Sequence, residues 1–204
     1  MDLPLRVRLL GSFVGVDLVG DLLNMARMEE GTVRRQISPL HIEDILNEVK
    51  ELMQPVADRN RICLEVQASD RLPDVNADRE ELIRLFNNLV DNAIKYNKPE
   101  GRVKITGDQD GPYVRVSVTD TGIGIGKESR SRLFSEFFRE KRGEASLITG
   151  TGLGLSIVKR IVDFYHGRVE VESELEKGSV FTVWLPHKGS SQSMEQAESG
   201  SSQN

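Results

Sequence analysis

The chain has 204 residues, 38% of them hydrophobic and 29% charged, with a formal net charge of −5. That length supports one buried core plus a small appendage, and the acidic balance argues against nucleic acid as a partner. A single cysteine, Cys63, excludes an internal disulfide and any multi-cysteine metal site, and within the alternating RICLEV it reads as a packing residue rather than a reactive thiol.

The most apolar stretch, LLGSFVGVDLVGDLL over 9–23, carries Asp17 and Asp21 and is too short and too polar to span a bilayer. MDLPLRV lacks the layout of a signal peptide. A soluble, cytoplasmic chain is expected, with any membrane anchor belonging to a longer parent protein. Leu18, Val19, Leu22, Leu23 and Ala26 share one face, which predicts an amphipathic helix over 16–30, stopped at Gly31 and suited to a partner helix. HIEDILNEVKELMQ predicts a second helix over 41–54 that ends before Pro55. RICLEVQ, 61–67, alternates as a strand does.

Asp78 followed by Glu81 reads as a capping box, opening a helix whose buried stripe is Leu82, Leu85, Phe86, Leu89 and Ala93. Strands are predicted over 102–107 and 113–119, with GDQDGP as the turn between them. Residues 121–151 are rich in glycine, serine and charge, with one short apolar patch, LFSEFF. LGLSIVKRIVDFYHG, 153–167, predicts a helix closed by Gly167, and RVEVESEL and SVFTVWL form a last hairpin across Glu176-Lys177-Gly178. From Lys188 the chain is low-complexity and expected to be disordered. Hairpin-joined strands with helices gathered separately predict an α+β, two-layer sandwich of antiparallel or mixed sheet.

Three features within this frame carry chemistry. Asn88, Asn92, Lys95 and Tyr96 follow i, i+4, i+7 and i+8, so one helical stripe is polar although asparagine is a mediocre helix former. DTGIGIG (120–126) and TGTGLGLS (149–156) each hold Gly-x-Gly-x-Gly, which lets a backbone approach a ligand and aim N–H groups at phosphates. Only the second opens a helix, so a dinucleotide-binding fingerprint does not fit, and no Walker-type Gly-Lys-Ser/Thr is present. Asp120 ends an apolar strand directly before the first cluster. A carboxylate at a pocket floor can accept a hydrogen bond from the exocyclic amine that separates adenine from guanine.

The ordered set NNLVDNAIKY, DTGIGI, LFSEFFR, TGTGLGLSI and KGSVF closely resembles the N, G1, F, G2 and G3 boxes of the ATP-binding catalytic domain of sensor histidine kinases. That domain belongs to the GHKL (HATPase) superfamily shared with gyrase, MutL and the heat-shock chaperone ATPases, and the resemblance runs from about Ser38 to His187. It implies a Bergerat-type ATP-binding fold with ATP and Mg²⁺ as cofactors. By this resemblance Asn92 is the Mg²⁺ ligand, Asn88 lines the phosphate region, Lys95 contacts phosphates and Tyr96 packs near the nucleotide. Asp120 matches the adenine-reading aspartate, with Gly122 and Gly124 allowing close approach. Arg139, after Phe137 and Phe138, matches the lid arginine that reaches the γ-phosphate, while Lys141 and Arg142 read as solvated lid residues. Gly150, Thr151, Gly152, Leu153 and Gly154 fall in the cluster that holds phosphates and hinges the lid. Ser179 stands where many relatives have threonine.

The resemblance further implies transfer of the ATP γ-phosphoryl group to a histidine on a dimerisation hairpin, relay to a response regulator, and a homodimeric parent. It divides the chain into a partial hairpin (1–35), a catalytic domain (36–187) and a tail (188–204). The main departure is the acceptor: VDLVGDLLNMARMEEG resembles the end of the hairpin's second helix, with no histidine before it, and neither His41 nor His166 fits the acceptor's place. Activity on a hairpin in trans is therefore expected. A nucleotide-binding regulatory module without transfer, or an anti-sigma-type serine kinase, are the alternatives. Hydrolysing branches carry a water-activating glutamate at the position of Asn88, and an amide cannot be that base.

Overall fold

Strand β5, Tyr113–Asp120, alternates strictly: Val114, Val116, Val118 and Asp120 are buried, and the residues between them are half-exposed. The pleat sends successive side chains to opposite faces, so the three valines that build the core also fix the aim of Asp120. This strand lies at the centre of a computed structural model in which residues 35–69, 71–139 and 150–187 are described. The helix expected over 16–30, the partial hairpin up to residue 34, Lys141, Arg142 and the tail from Lys188 lie outside the described residues.

The elements run β1 (Ile37–Leu40), α1 (Ile42–Arg59), β2 (Cys63–Ala68), β3 (Val75–Asp78), α2 (Arg79–Lys95), β4 (Arg102–Asp110), β5, α3 (Lys127–Arg130), α4 (Gly154–Phe164), β6 (Arg168–Glu174) and β7 (Gly178–Pro186). Five strands form one sheet in the order β2-β4-β5-β7-β6, with β2 and β4 parallel and the other pairs antiparallel. Helices α1, α2 and α4 cover one face, where Leu46, Phe86, Leu89 and Ile157 close on Ile105, Val116 and Val183 in a single core. This is the expected two-layer α+β sandwich with a mixed sheet.

Local boundaries depart from the sequence expectations for identifiable reasons. Helix α1 does not stop before Pro55 but runs through it to Arg59, because Ala57 is fully buried and Asn60 Nδ2 donates to Val56 O at 2.8 Å. Burial of the last turn outweighs the one backbone bond that proline removes. The turn between β4 and β5 shrinks to Gly111-Pro112, since the ladder continues to the Asp110–Tyr113 pair. At the end of α4 it is His166, with φ +55°, that takes the left-handed position. Gly167 is needed instead for close approach, as a Cβ there would lie 2.3 Å from Trp184 O. Cys63 is exposed rather than packed, and its hydrogen bond to Glu65 raises the thiol pKa, which opposes reactivity.

The start of α2 is held by a buried polar cluster. Asp78 Oδ1 accepts from Glu80 N at 3.0 Å and Glu81 N at 3.3 Å. Glu81 does not close the capping box on Asp78; the Tyr165 hydroxyl does, accepting from Asp78 N at 2.9 Å and donating to Glu81 at 2.6 Å. Arg35 Nε donates to Glu81 at 2.8 Å, with its guanidinium 3.7 Å from the Phe164 ring centre. Glu81 is 7% exposed, so Arg35→Ala leaves a buried carboxylate without its cation. The expected loss is about 2–3 kcal/mol in urea unfolding, partly recovered by adding Glu81→Gln.

Candidate nucleotide-binding site

Helix α2 turns its apolar stripe, with Phe86, Leu89 and Ala93 buried, against the sheet. That leaves Asn88 and Asn92 half-buried and Lys95 exposed on the other side. Asn88 Nδ2 donates to Arg84 O at 2.9 Å, and its Oδ1 faces the first turn of α4, where a Cβ added to Gly154 would lie 2.8 Å away. The two helices therefore meet with an amide oxygen at the amino end of α4, which carries a partial positive charge. The Asn92 carboxamide makes no hydrogen bond among the described residues, and Lys95 pairs with Asp91 at 2.5 Å.

Tyr96 closes α2, and its carbonyl accepts from Ile123 N at 3.0 Å. A Cβ on Gly122 would lie 2.2 Å from that carbonyl oxygen, so no other residue fits. Gly124 abuts Glu174 on the opposite side, which clamps the loop after β5 between the end of α2 and the β6–β7 hairpin. Asp120 begins this loop and is 7% exposed. Its Oδ1 accepts from Gly122 N at 2.8 Å and Ser179 N at 3.2 Å, so both backbone bonds fall on one oxygen. Burial pushes its pKa from 3.8 up to about 6, while those two amides and the Ser179 hydroxyl pull the other way. The Ser179 hydroxyl also lies 3.0 Å from that of Ser173.

The second glycine cluster leads into α4. Leu153 is fully buried, its amide bonds Thr151 Oγ1 at 3.3 Å, and its carbonyl accepts from Ser156 Oγ at 2.8 Å. Gly152, at φ +76°, packs directly on the backbone of Phe137 and Phe138, which puts half-buried Arg139 one residue from this contact. Gly150 stands at the head of the segment, with open space where a Cβ would be. The structure thus joins Asn88 to Gly154, Tyr96 to Gly122, and Asp120 to Gly122 and Ser179, while Lys95 is engaged by Asp91. A cavity of about 440 Å³ reaches Asp120 from the β6–β7 side, with Thr119, Arg130, Lys177 and Ser179 in its wall.

Sequence reasoning missed Asn97, Thr121 and Ser173. Asn97 follows a helix end and precedes Pro99 and Gly101, which marks a turn but not its long-range bonds. Ser173 donates to Gly178 O at 2.8 Å and accepts from Ile125 N at 2.8 Å, tying the glycine loop to β6.

The fold and site together define a two-layer sandwich with a buried carboxylate on its central strand and a polar helical stripe whose Asn88 meets the first turn of α4. Residues 77–189 match the family described as histidine kinase-, DNA gyrase B-, and HSP90-like ATPase. The chain belongs to that family. Among similar proteins, the circadian input-output histidine kinase CikA of Synechococcus elongatus is 30% identical over 85% of this chain and 23% of its own length. The sensor histidine kinase ZraS of Escherichia coli is 34% identical over 74% of this chain and 31% of its own. The chain therefore spans less than a third of either relative. Among solved structures, full-length ShkA in complex with AMPPNP superimposes with a TM-score of 0.74 at 35% identity, over 83% of this chain and 35% of that one. The histidine kinase ThkA in complex with the response regulator TrrA gives 0.67 at 25% identity, over 92% and 53%.

Proposed function

We propose that residues 36–187 are the ATP-binding catalytic domain of a two-component sensor histidine kinase. In this reading residues 1–35 are the end of a dimerisation hairpin and 188–204 a tail. The observation that carries it is the pairing of a buried Asp120, whose one oxygen is held by two amides, with an unpartnered, half-buried Asn92 on the helix alongside. The second oxygen of Asp120, which neither amide bonds, would accept from the adenine amine. The similarity to ShkA, whose structure holds AMPPNP, supports ATP as the ligand.

The residues fit a magnesium ion bound together with phosphates. Among the described residues no group of three or more His, Cys, Asp or Glu could hold a metal alone. Mg²⁺ keeps few protein ligands, takes oxygen donors and is completed by phosphate and water, and the free carboxamide oxygen of Asn92 suits it. When bound, the ion would neutralise charge on the phosphate chain. Asn88 and the amides leading into α4 line the phosphate region, Tyr96 packs near the nucleotide, and Gly122 and Gly124 let the backbone come close. Lys95, once released from Asp91, and Arg139 add positive charge at the phosphates, Arg139 at the γ-phosphate.

In the transfer the bond between the γ-phosphorus and the β–γ bridging oxygen breaks and a bond to an imidazole nitrogen forms; ADP leaves and the imidazole gives up its N–H proton. Asn88 offers an amide where a general base would be needed to activate water, which favours passing the phosphoryl group on. The acceptor hairpin acts in trans or in the same parent protein, which we take to be a homodimer that relays to a response regulator in the cytoplasm. No helix among the described residues is long and apolar enough to cross a membrane.

Incubation with labelled ATP and a separate histidine-bearing hairpin tests this. The expected result is a label on the hairpin that is lost in acid. An acid-stable label would point to a serine acceptor, nucleotide binding without any label would point to a regulatory module, and brisk hydrolysis without labelling would refute transfer.

A further inference from the structure

Asn97, just past the end of α2, uses every hydrogen-bonding position its side chain offers. Its Nδ2 donates to Ala93 O at 3.1 Å and Arg102 O at 3.0 Å, and its Oδ1 accepts from Lys98 N at 2.9 Å and Thr121 Oγ1 at 3.1 Å. The Thr121 hydroxyl also accepts from Arg102 N at 2.9 Å. These atoms come from separate pieces of chain: the last turn of α2, the turn after it, the first residue of β4, and the residue that follows Asp120. A saturated amide of this kind fixes relative positions, because shifting any one piece leaves a donor or acceptor unpaired.

The pieces it ties together carry the two ends of the site. Asn88 and Asn92 ride on α2 as a rigid rod, and Asp120 immediately precedes Thr121. Each end is oriented without Asn97: Asp120 by the amides of Gly122 and Ser179, and Asn88 by Arg84 O. Between the ends, Tyr96 O also accepts from Ile123 N at 3.0 Å, so the loop stays attached when Asn97 is lost but is less closely positioned.

We propose that Asn97 is a positioning residue that sets the separation between the phosphate- and metal-facing amides of α2 and the adenine-facing carboxylate of Asp120. It does so through the Thr121 hydroxyl, and the consequence is that a nucleoside triphosphate engages both ends at once. The proposal rests on the nucleotide-binding reading above. A ligand that spans both ends gains from their fixed spacing, whereas one that occupies a single end does not.

The test is titration of Mg–ATP and, separately, adenosine into the full chain by calorimetry and NMR, for wild type, Asn97→Ala and Thr121→Val, with thermal melts of each. Thr121 is exposed and valine keeps its shape, so Thr121→Val carries the test if Asn97→Ala does not fold. Both variants are expected to lose about 10- to 100-fold in Mg–ATP affinity with adenosine affinity unchanged. Parallel loss of both ligands, or retention of both, would overturn the positioning role while leaving nucleotide binding intact. Wild type that binds neither ligand would overturn the proposal together with the reading on which it rests.

Discussion

Asp120→Asn is expected to abolish adenine recognition while making the ligand-free domain more stable, because the two effects act on different oxygens. Both backbone amides that hold the side chain bond Oδ1, which asparagine keeps. At the Oδ2 position the variant carries an NH₂ group, which would meet the adenine amine donor to donor. The expected loss of ATP affinity is about 100-fold, the scale of one charged hydrogen bond replaced by an unsatisfied one. Stability moves the other way. The carboxyl deprotonates near 3.8 when unfolded and at about 6 when folded, so its contribution is greatest below about pH 4 and is lost as the pH rises through 6. Asparagine removes that dependence. Above about pH 6 the variant should be about 1–2 kcal/mol more stable in urea than wild type, after discounting the weaker hydrogen bonds of a neutral amide, and the gap should close toward about pH 4. A variant no more stable above pH 6, or one that binds ATP normally, contradicts the assignment.

Asn92→Ala is expected to remove the metal-dependent part of ATP binding and little else. Its carboxamide has no partner among the described residues, so truncation should leave its neighbours undisturbed and the melting temperature close to that of wild type. Residues that only support a metal ligand cost 10- to 100-fold when lost, so loss of the ligand itself should cost at least about 100-fold in Mg–ATP affinity. Binding of ATP in the presence of a chelator should be equal in the two proteins. A variant that loses chelator-independent binding to the same extent would place Asn92 on the nucleotide itself and not on the ion.

How much could be read in advance follows the range of the interactions involved. The polar stripe of α2 was legible because helical periodicity puts Asn88, Asn92 and Lys95 on one side of any helix. Asp120 was legible because it ends an apolar strand directly before a glycine cluster. The short ribbon of β1 and β3 was not: ISPL contains a proline tolerated only at a sheet edge, and VNAD is too short to show a period. Glu81 looked like half of a capping box, because its partners Arg35 and Tyr165 lie 46 and 84 residues away. Asn97 likewise gave only a turn signal, since its bond to Thr121 crosses 24 residues. Pro55 misled for a related reason, as the burial of Ala57 that carries α1 past it is a tertiary fact.

The strict alternation of β5 makes core formation and ligand reading a single event. A slip of one residue in its pairing would turn Val114, Val116 and Val118 toward water and carry the Asp120 carboxylate to the far side of the sheet. A misaligned hairpin therefore cannot accept the ligand, and a ligand that binds only the aligned form draws the population toward it by mass action. Nucleotide would then act during folding as a proofreader of strand alignment. Changes of chain length, for the same reason, are tolerable at Gly111-Pro112 but not anywhere between Val114 and Asp120.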